Sequence, residues 1–132
     1  MTLGYEGTLF ILAFDHRGSF QRKFFGIDGV PGPAEAERII DAKRVIFEGA
    51  QRALSVGLDA SAAGVLVDEQ FGTQVAMDAK QAGMVLAMPA EKSGQNEFDF
   101  EYGEEFGAHI EAFDPTFTKV LVRYNPEGDG AM

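Results

Sequence analysis

Four short apolar runs in this chain each end abruptly in polar or charged residues. Leu9-Phe10-Ile11-Leu12-Ala13-Phe14 runs into Asp15-His16-Arg17, and Ala63-Gly64-Val65-Leu66-Val67 runs into Asp68-Glu69-Gln70. Met84-Val85-Leu86-Ala87-Met88 runs into Pro89-Ala90-Glu91-Lys92-Ser93, and Val120-Leu121-Val122 runs into Arg123-Tyr124-Asn125. A strand of an antiparallel sheet with one wet face alternates apolar and polar residues. A parallel strand covered on both faces is apolar throughout, and its C-terminal end opens where ligands bind. The rhythm therefore points to an α/β fold and to the end of the sheet where chemistry would sit.

The segments between the runs read as helices. Residues 19–25 suggest a short helical turn, and Gly29 and Pro31 break the loop that follows. Pro33 suits the first turn of a helix, where its missing N–H is no loss, and Glu35 and Glu37 favour the same end through the helix dipole. Ile39, Ile40, Ile46, Phe47, Ala50 and Leu54 then recur in steps that place them on one face, and Gly57 is a plausible stop. A second helix is predicted over 73–82, a polar connection over 91–103, and a third helix over 103–112 ended by Asp114-Pro115. The fourth strand is predicted over 118–124.

Strand–helix alternation predicts a parallel sheet with right-handed crossovers. An open doubly wound sheet and a (β/α)8 barrel both satisfy it. A barrel takes ~250 residues, so a chain of 132 residues supplies about its first four strands. No helix follows the last predicted strand. The expectation is one domain over residues 1–132, the N-terminal half of a TIM barrel truncated after strand four, with exposed sheet edges that favour self-association or a complementary half barrel.

The net charge is −10. Residues 1–90 hold 11 acids and 8 bases, whereas residues 91–132 hold 10 acids and 3 bases. No basic patch is visible, which argues against a nucleic-acid partner. No apolar stretch reaches the ~18 residues of a membrane span, and the N-terminus lacks the basic and apolar regions of a signal peptide. There is no cysteine, hence no disulfide or thiolate metal site. A cytoplasmic protein without a membrane partner is expected. Neither a Walker loop nor a dinucleotide fingerprint occurs, Asp-His-Arg-Gly-Ser-Phe standing after the first strand instead. No cofactor is expected, and the doubly wound alternative is weakened.

Strand alternation places Ile11, Ala13, Asp15 and Arg17 on one face and Lys119, Leu121, Arg123 and Asn125 on another. In a barrel, Asp15, Arg123 and Asn125 would converge at the top, joined by Asp68, Glu69 and Glu91. Asp15-His16-Arg17 suits a substrate hydroxyl or phosphate, or equally a local salt bridge. His16 suits a proton shuttle or a structural hydrogen bond. Arg123 suits a bidentate clamp on phosphate or carboxylate, or an ion pair with Asp68 or Glu91. Asp68, Glu69 and Glu91 suit a divalent cation or, for the paired acids, helix capping. Lys92 stands at the chemical end, where a lysine suits a Schiff base or, alternatively, a surface or ion-pair role. Lys119, at the start of the predicted fourth strand, is expected to face the opposite end. His109 has no assigned role.

Four ordered segments, Phe14 to Phe20, Val67 to Gly72, Ala87 to Gly94 and Val120 to Pro126, resemble the aldolase-like domain of myo-inositol catabolism proteins. That domain is associated with 2-deoxy-5-keto-gluconate 6-phosphate aldolase and is more distantly similar to tagatose 1,6-bisphosphate aldolase. The resemblance runs from about Leu9 to Asp129. It implies a class I lyase that cleaves a carbon–carbon bond of a phosphorylated keto sugar through a lysine Schiff base, with no metal. It implies that the matched positions Asp15, Arg17, Glu91, Lys92, Arg123 and Asn125 form part of the site; Asp15, Glu91 and Lys92 are then expected to be catalytic, and Arg17, Arg123 and Asn125, together with the strand-end acids Asp68 and Glu69, to contact substrate. In the family the Schiff-base lysine lies on strand six and its acidic partner on strand five, so the nucleophile has no counterpart here and the 132 residues alone are expected to be inactive. The alternatives are a metal-dependent aldolase using Asp68, Glu69, Glu91 and His16, and a non-catalytic sugar-phosphate binding or assembly module.

Overall fold

A computed structural model describes residues 5–128. The chain runs β1 (Phe10–Ala13), α1 (Gly18–Phe25), α2 (Pro33–Ser55), β2 (Ala63–Leu66), α3 (Glu69–Gln81), β3 (Val85–Pro89), α4 (Phe106–Phe113) and β4 (Phe117–Lys119), with 3-10 turns at Ala60–Ala62 and Gly103–Glu105. The four strands form one all-parallel sheet in the order β1-β2-β3-β4. Right-handed crossovers between strands laid down in consecutive order put their helices on the same face. A doubly wound sheet instead reverses its strand order to cover both faces, and no reversal occurs among the described residues.

The core lies between one face of the sheet and helices α2 and α3. Phe14, Ala63, Val65, Val67, Met84, Leu86 and Met88 meet Phe47 and Ala50 of α2 and Val75, Ala76 and Ala79 of α3. The opposite face carries Ile11, Ala13, Leu66 and Val85, partly or fully exposed. At its lower end Tyr5 packs edge-on against Phe117, ring centroids 5.8 Å apart, and donates its hydroxyl to the Ser61 carbonyl at 2.7 Å. Strand β1 is an apolar edge, with Phe10 61% exposed.

Helix α2 begins as the sequence predicts. Pro33 occupies the first turn, and the Glu35 carboxylate accepts the Gly32 N–H at 2.9 Å. Its buried residues are Ile39, Lys43, Phe47 and Ala50, so a lysine interrupts the apolar stripe at the position between Ile39 and Phe47. Helix α3 starts at Glu69, four residues before the predicted Thr73. Asp68 caps it by accepting the Phe71 N–H at 2.9 Å, and Gly72 lies inside the helix. Gly83, with φ 75°, turns the chain directly into β3.

The fourth strand differs most from expectation. It spans Phe117–Lys119 instead of 118–124. Past Pro89 the backbone of the third strand is occupied by another segment. Ala90 accepts from Glu101 N–H at 3.0 Å, Lys92 N–H donates to Asp99 at 2.9 Å, and Glu91 bridges Phe100 in antiparallel fashion. The polar connection folds back as a short ribbon, which leaves Val120-Leu121-Val122 outside the sheet and exposed.

Candidate functional site

Because β4 ends at Lys119, that side chain stands at the C-terminal end of the sheet. This overturns the expectation that Lys119 faces the other end. Its ammonium donates to Glu91 Oε1 at 2.6 Å and to Asp15 Oδ2 at 3.0 Å. Arg17, 6% exposed, adds a second cation. Its Nη1 donates to the Glu91 carbonyl at 2.9 Å and to Glu101 Oε2 at 2.8 Å, and its Nη2 lies 3.2 Å from Glu91 Oε1. Glu91 thus sits between two cations and joins the ends of β1, β3 and β4. Two buried polar atoms at this junction, Arg17 Nε and Glu91 Oε2, have no hydrogen-bond partner among the described residues.

Above this junction opens a cavity of about 420 Å³. The Asp15-His16-Arg17 loop, the start of α1, the 91–99 ribbon and the segment after β4 line it. Six of the protein's 11 lysines and arginines contribute to the wall (Arg17, Arg22, Lys23, Lys92, Lys119 and Arg123), against four of its 21 acids. In a chain of net charge −10 this is a local inversion of charge. Arg22, Lys23 and Arg123 make no ion pair among the described residues, while Lys92 lies 3.8 Å from Asp99.

Burial by itself would lower the pKa of Lys119, but the hydrogen bonds to Glu91 and Asp15 outweigh it and hold the ammonium above the ordinary lysine value. Lys119 is therefore a fixed positive charge at neutral pH. Its contribution to stability is complete below the unfolded value of 10.5 and is lost as pH rises through the higher folded value. Urea midpoints should fall along this alkaline limb, and K119M should flatten it. An equally steep limb in K119M would show that another group is responsible. Partial burial of the His16 ring and the nearby Lys43 charge lower the His16 pKa, so the ring is neutral at pH 7.

The chain that builds this site matches one family model, over residues 4–132, described as an uncharacterized protein conserved in bacteria (DUF2090). The chain belongs to the DUF2090 family. Comparison with curated proteins and with solved structures found no match in either case.

In this DUF2090 chain, the fold brings Asp15, Arg17, Glu91, Lys92 and Arg123 to the cavity. It leaves three sequence candidates elsewhere. Asp68, 1% exposed, is buried with Lys43, and its two oxygens are engaged by the Lys43 ammonium and the Phe71 N–H. Glu69 turns toward α4, with His109 Nδ1 2.9 Å from both of its oxygens. Asn125 accepts the Glu127 N–H at 3.1 Å in an exposed turn. Tyr102 stacks on the His109 ring with centroids 3.5 Å apart. Burial, then the Glu69 charge, push the Tyr102 phenol up to about 12, and the pair packs the ribbon against α3 and α4.

The donors required by the metal-dependent alternative are therefore dispersed. Asp68, Glu69 and Glu91 each belong to a different ion pair. Among the described residues no group of three or more His, Asp or Glu is placed to hold a metal ion. Nor is any helix among them long and apolar enough to cross a membrane. Sequence reasoning missed Arg22 and Lys23, whose signal was their position one helical turn after Asp15-His16-Arg17. It also missed Lys43, whose signal was a charge on an otherwise apolar helical stripe.

Proposed function

We propose that the cavity binds the anionic end of a phosphorylated keto sugar, and that the chain forms part of a class I sugar-phosphate aldolase. The convergence of six basic residues on one cavity of an acidic protein carries this reading. Unpaired guanidinium and ammonium groups at the wall favour a multiply charged phosphate, and arginine matches its oxygens bidentately. Deeper in the cavity, Asp15 and Glu91 would take sugar hydroxyls or relay protons. The consecutive parallel strand order, with helices on one face, is compatible with the first half of a (β/α)8 barrel whose ligands gather at the C-terminal ends of the strands.

In this reading the imine-forming lysine lies outside residues 1–132. Lys119 is unsuited to the role, because an amine held charged between two carboxylates is a poor nucleophile. That same observation favours the second reading, a sugar-phosphate binding module without chemistry of its own.

The test titrates inorganic phosphate and a keto-sugar phosphate into the protein by calorimetry. R22A combined with K23A should weaken phosphate binding about tenfold, the loss of roughly one charge-assisted contact, without moving the urea midpoint. Unaltered affinity would place the anion elsewhere. Borohydride reduction in the presence of keto-sugar phosphate should trap a covalent adduct only when these residues form part of a completed barrel. Binding without any adduct in that protein would leave the binding-module reading.

A further inference from the structure

We infer that Lys43, on α2 and directly behind the cavity wall, is a positioning residue for this site: its ammonium grips the backbone on either side of Asp15 and so holds the Asp15 carboxylate against Lys119. The inference rests on the reading of the cavity as an anion site, and the geometry behind it is independent of that reading.

Lys43 is 0% exposed. An ammonium without water is tolerable only when its three N–H groups find acceptors. Lys43 has three: the Phe14 carbonyl at 2.6 Å, the His16 carbonyl at 3.1 Å and the Asp68 carboxylate. The two carbonyls belong to the peptide groups before and after Asp15-His16. No sheet ladder can hold these peptides. Strand β1 ends at Ala13, and the last bond to its neighbour runs from Phe14 N–H to the Leu66 carbonyl at 2.8 Å. Lys43 thus replaces the missing ladder where the chain leaves the sheet for α1. Beyond that point the Asp15 carboxylate meets Lys119, and Arg17 reaches Glu91 and Glu101.

The ion pair with Asp68 alone does not explain this choice. Buried ion pairs are often no better than apolar residues of similar volume, and the neighbouring stripe positions hold Ile39 and Phe47. An apolar residue here would fill the space but leave both carbonyls ungripped.

The decisive variant is K43M combined with D68N. It avoids an uncompensated buried carboxylate, and the amide oxygen that D68N introduces can still accept the Phe71 N–H. Inorganic phosphate is the probe, titrated calorimetrically. The 15N-edited signal of the Lys119 ammonium, assigned with K119R, reports its contacts with both Asp15 and Glu91; D15A gives the signal with the Asp15 contact alone removed, and a purely structural role for Lys43 would leave the wild-type signal in a folded protein. The expected result is a folded double variant with phosphate affinity reduced about tenfold or more and the Lys119 signal moved from its wild-type position to that of D15A. Unchanged affinity with an unchanged signal overturns the inference. D68N alone covers the case in which the double variant fails to fold. With the amide oxygen taken by the Phe71 N–H, Lys43 keeps the Phe14 and His16 carbonyls, so affinity and signal should stay near wild type, and their loss would mean that the charge pair matters and the carbonyl grip does not. If the wild-type protein binds no phosphate, the anion reading fails, and the Lys119 signal still decides the positioning role.

Discussion

Replacing Lys43 by methionine alone should destabilise the protein by about 3–5 kcal/mol, the range for removing one partner of a buried ion pair. The methionine fills nearly the same space, so the loss is not a cavity effect. It comes from Asp68, left charged at 1% exposure, and from the Phe14 and His16 carbonyls, left without their donor. Burial already lowers the Lys43 pKa against the opposing pull of Asp68, which marks the ammonium as costly unless every contact is made. Adding D68N removes the stranded charge and should restore part of the stability. The remaining deficit of about 1–3 kcal/mol reflects unsatisfied carbonyls. Urea denaturation of the two variants and the wild type measures both steps. A single variant no less stable than the double would show that Asp68 needs no counter-charge.

Alanine at Gly72 should be harmful although alanine is the better helix former. In an exposed helix interior the exchange gains roughly 1 kcal/mol. Here a Cβ would overlap Val67 Cγ2, far inside van der Waals contact. Val67 is fully buried and β-branched, so it has no free rotamer into which to retreat. Overpacking of this kind costs about 1–3 kcal/mol, and a net loss in thermal and urea stability is expected. G72A with V67A should be more stable than the two single effects predict, because the second change removes the obstructing methyl. Additive effects would show that the clash is relieved elsewhere.

The glycine and the lysine illustrate two degrees of legibility. The apolar runs before Asp68 and Glu91 are readable as buried strands, since burial excludes charge from them, whereas the run before Asp15 forms a strand whose residues Phe10 to Ala13 are all exposed, because β1 is a sheet edge with no helix over its other face. Helix α2 was readable from Pro33, Glu35 and the spacing of its apolar residues. The start of α3 was not, although Asp68 is an ordinary cap, because Gly72 reads as a breaker until Val67 is known to lie against it. The 118–124 run reads as a strand on its apolar content alone. Its place beside Pro89 and Ala90 was limited by residues 99–101, a competition between segments that no local pattern records.

The candidate site divides in the same way. Asp15, Arg17, Glu91 and Lys92 are legible because strand ends in a parallel sheet all face one side, so polar residues there are brought together by topology, whereas Arg123 reaches the cavity from the segment after β4 and not from a strand end. Asp68, Glu69 and Asn125 satisfied the same rule and were drawn away by nearer partners. Sequence pattern alone puts Lys119 at the opposite end, because the apolar run that reads as its strand begins where the strand in fact finishes.

By itself the sequence determined the α/β class, the parallel direction of the strands and the end at which charge gathers, since these follow from periodicity and from the exclusion of charge from buried strands. Only the tertiary structure decided which charges share a cavity and which are consumed in pairs. An ion pair depends on distances of a few ångströms between residues such as Lys43 and Asp68 or Asp15 and Lys119, 25 and 104 positions apart, and that separation is set by how the helices and the ribbon pack on the sheet.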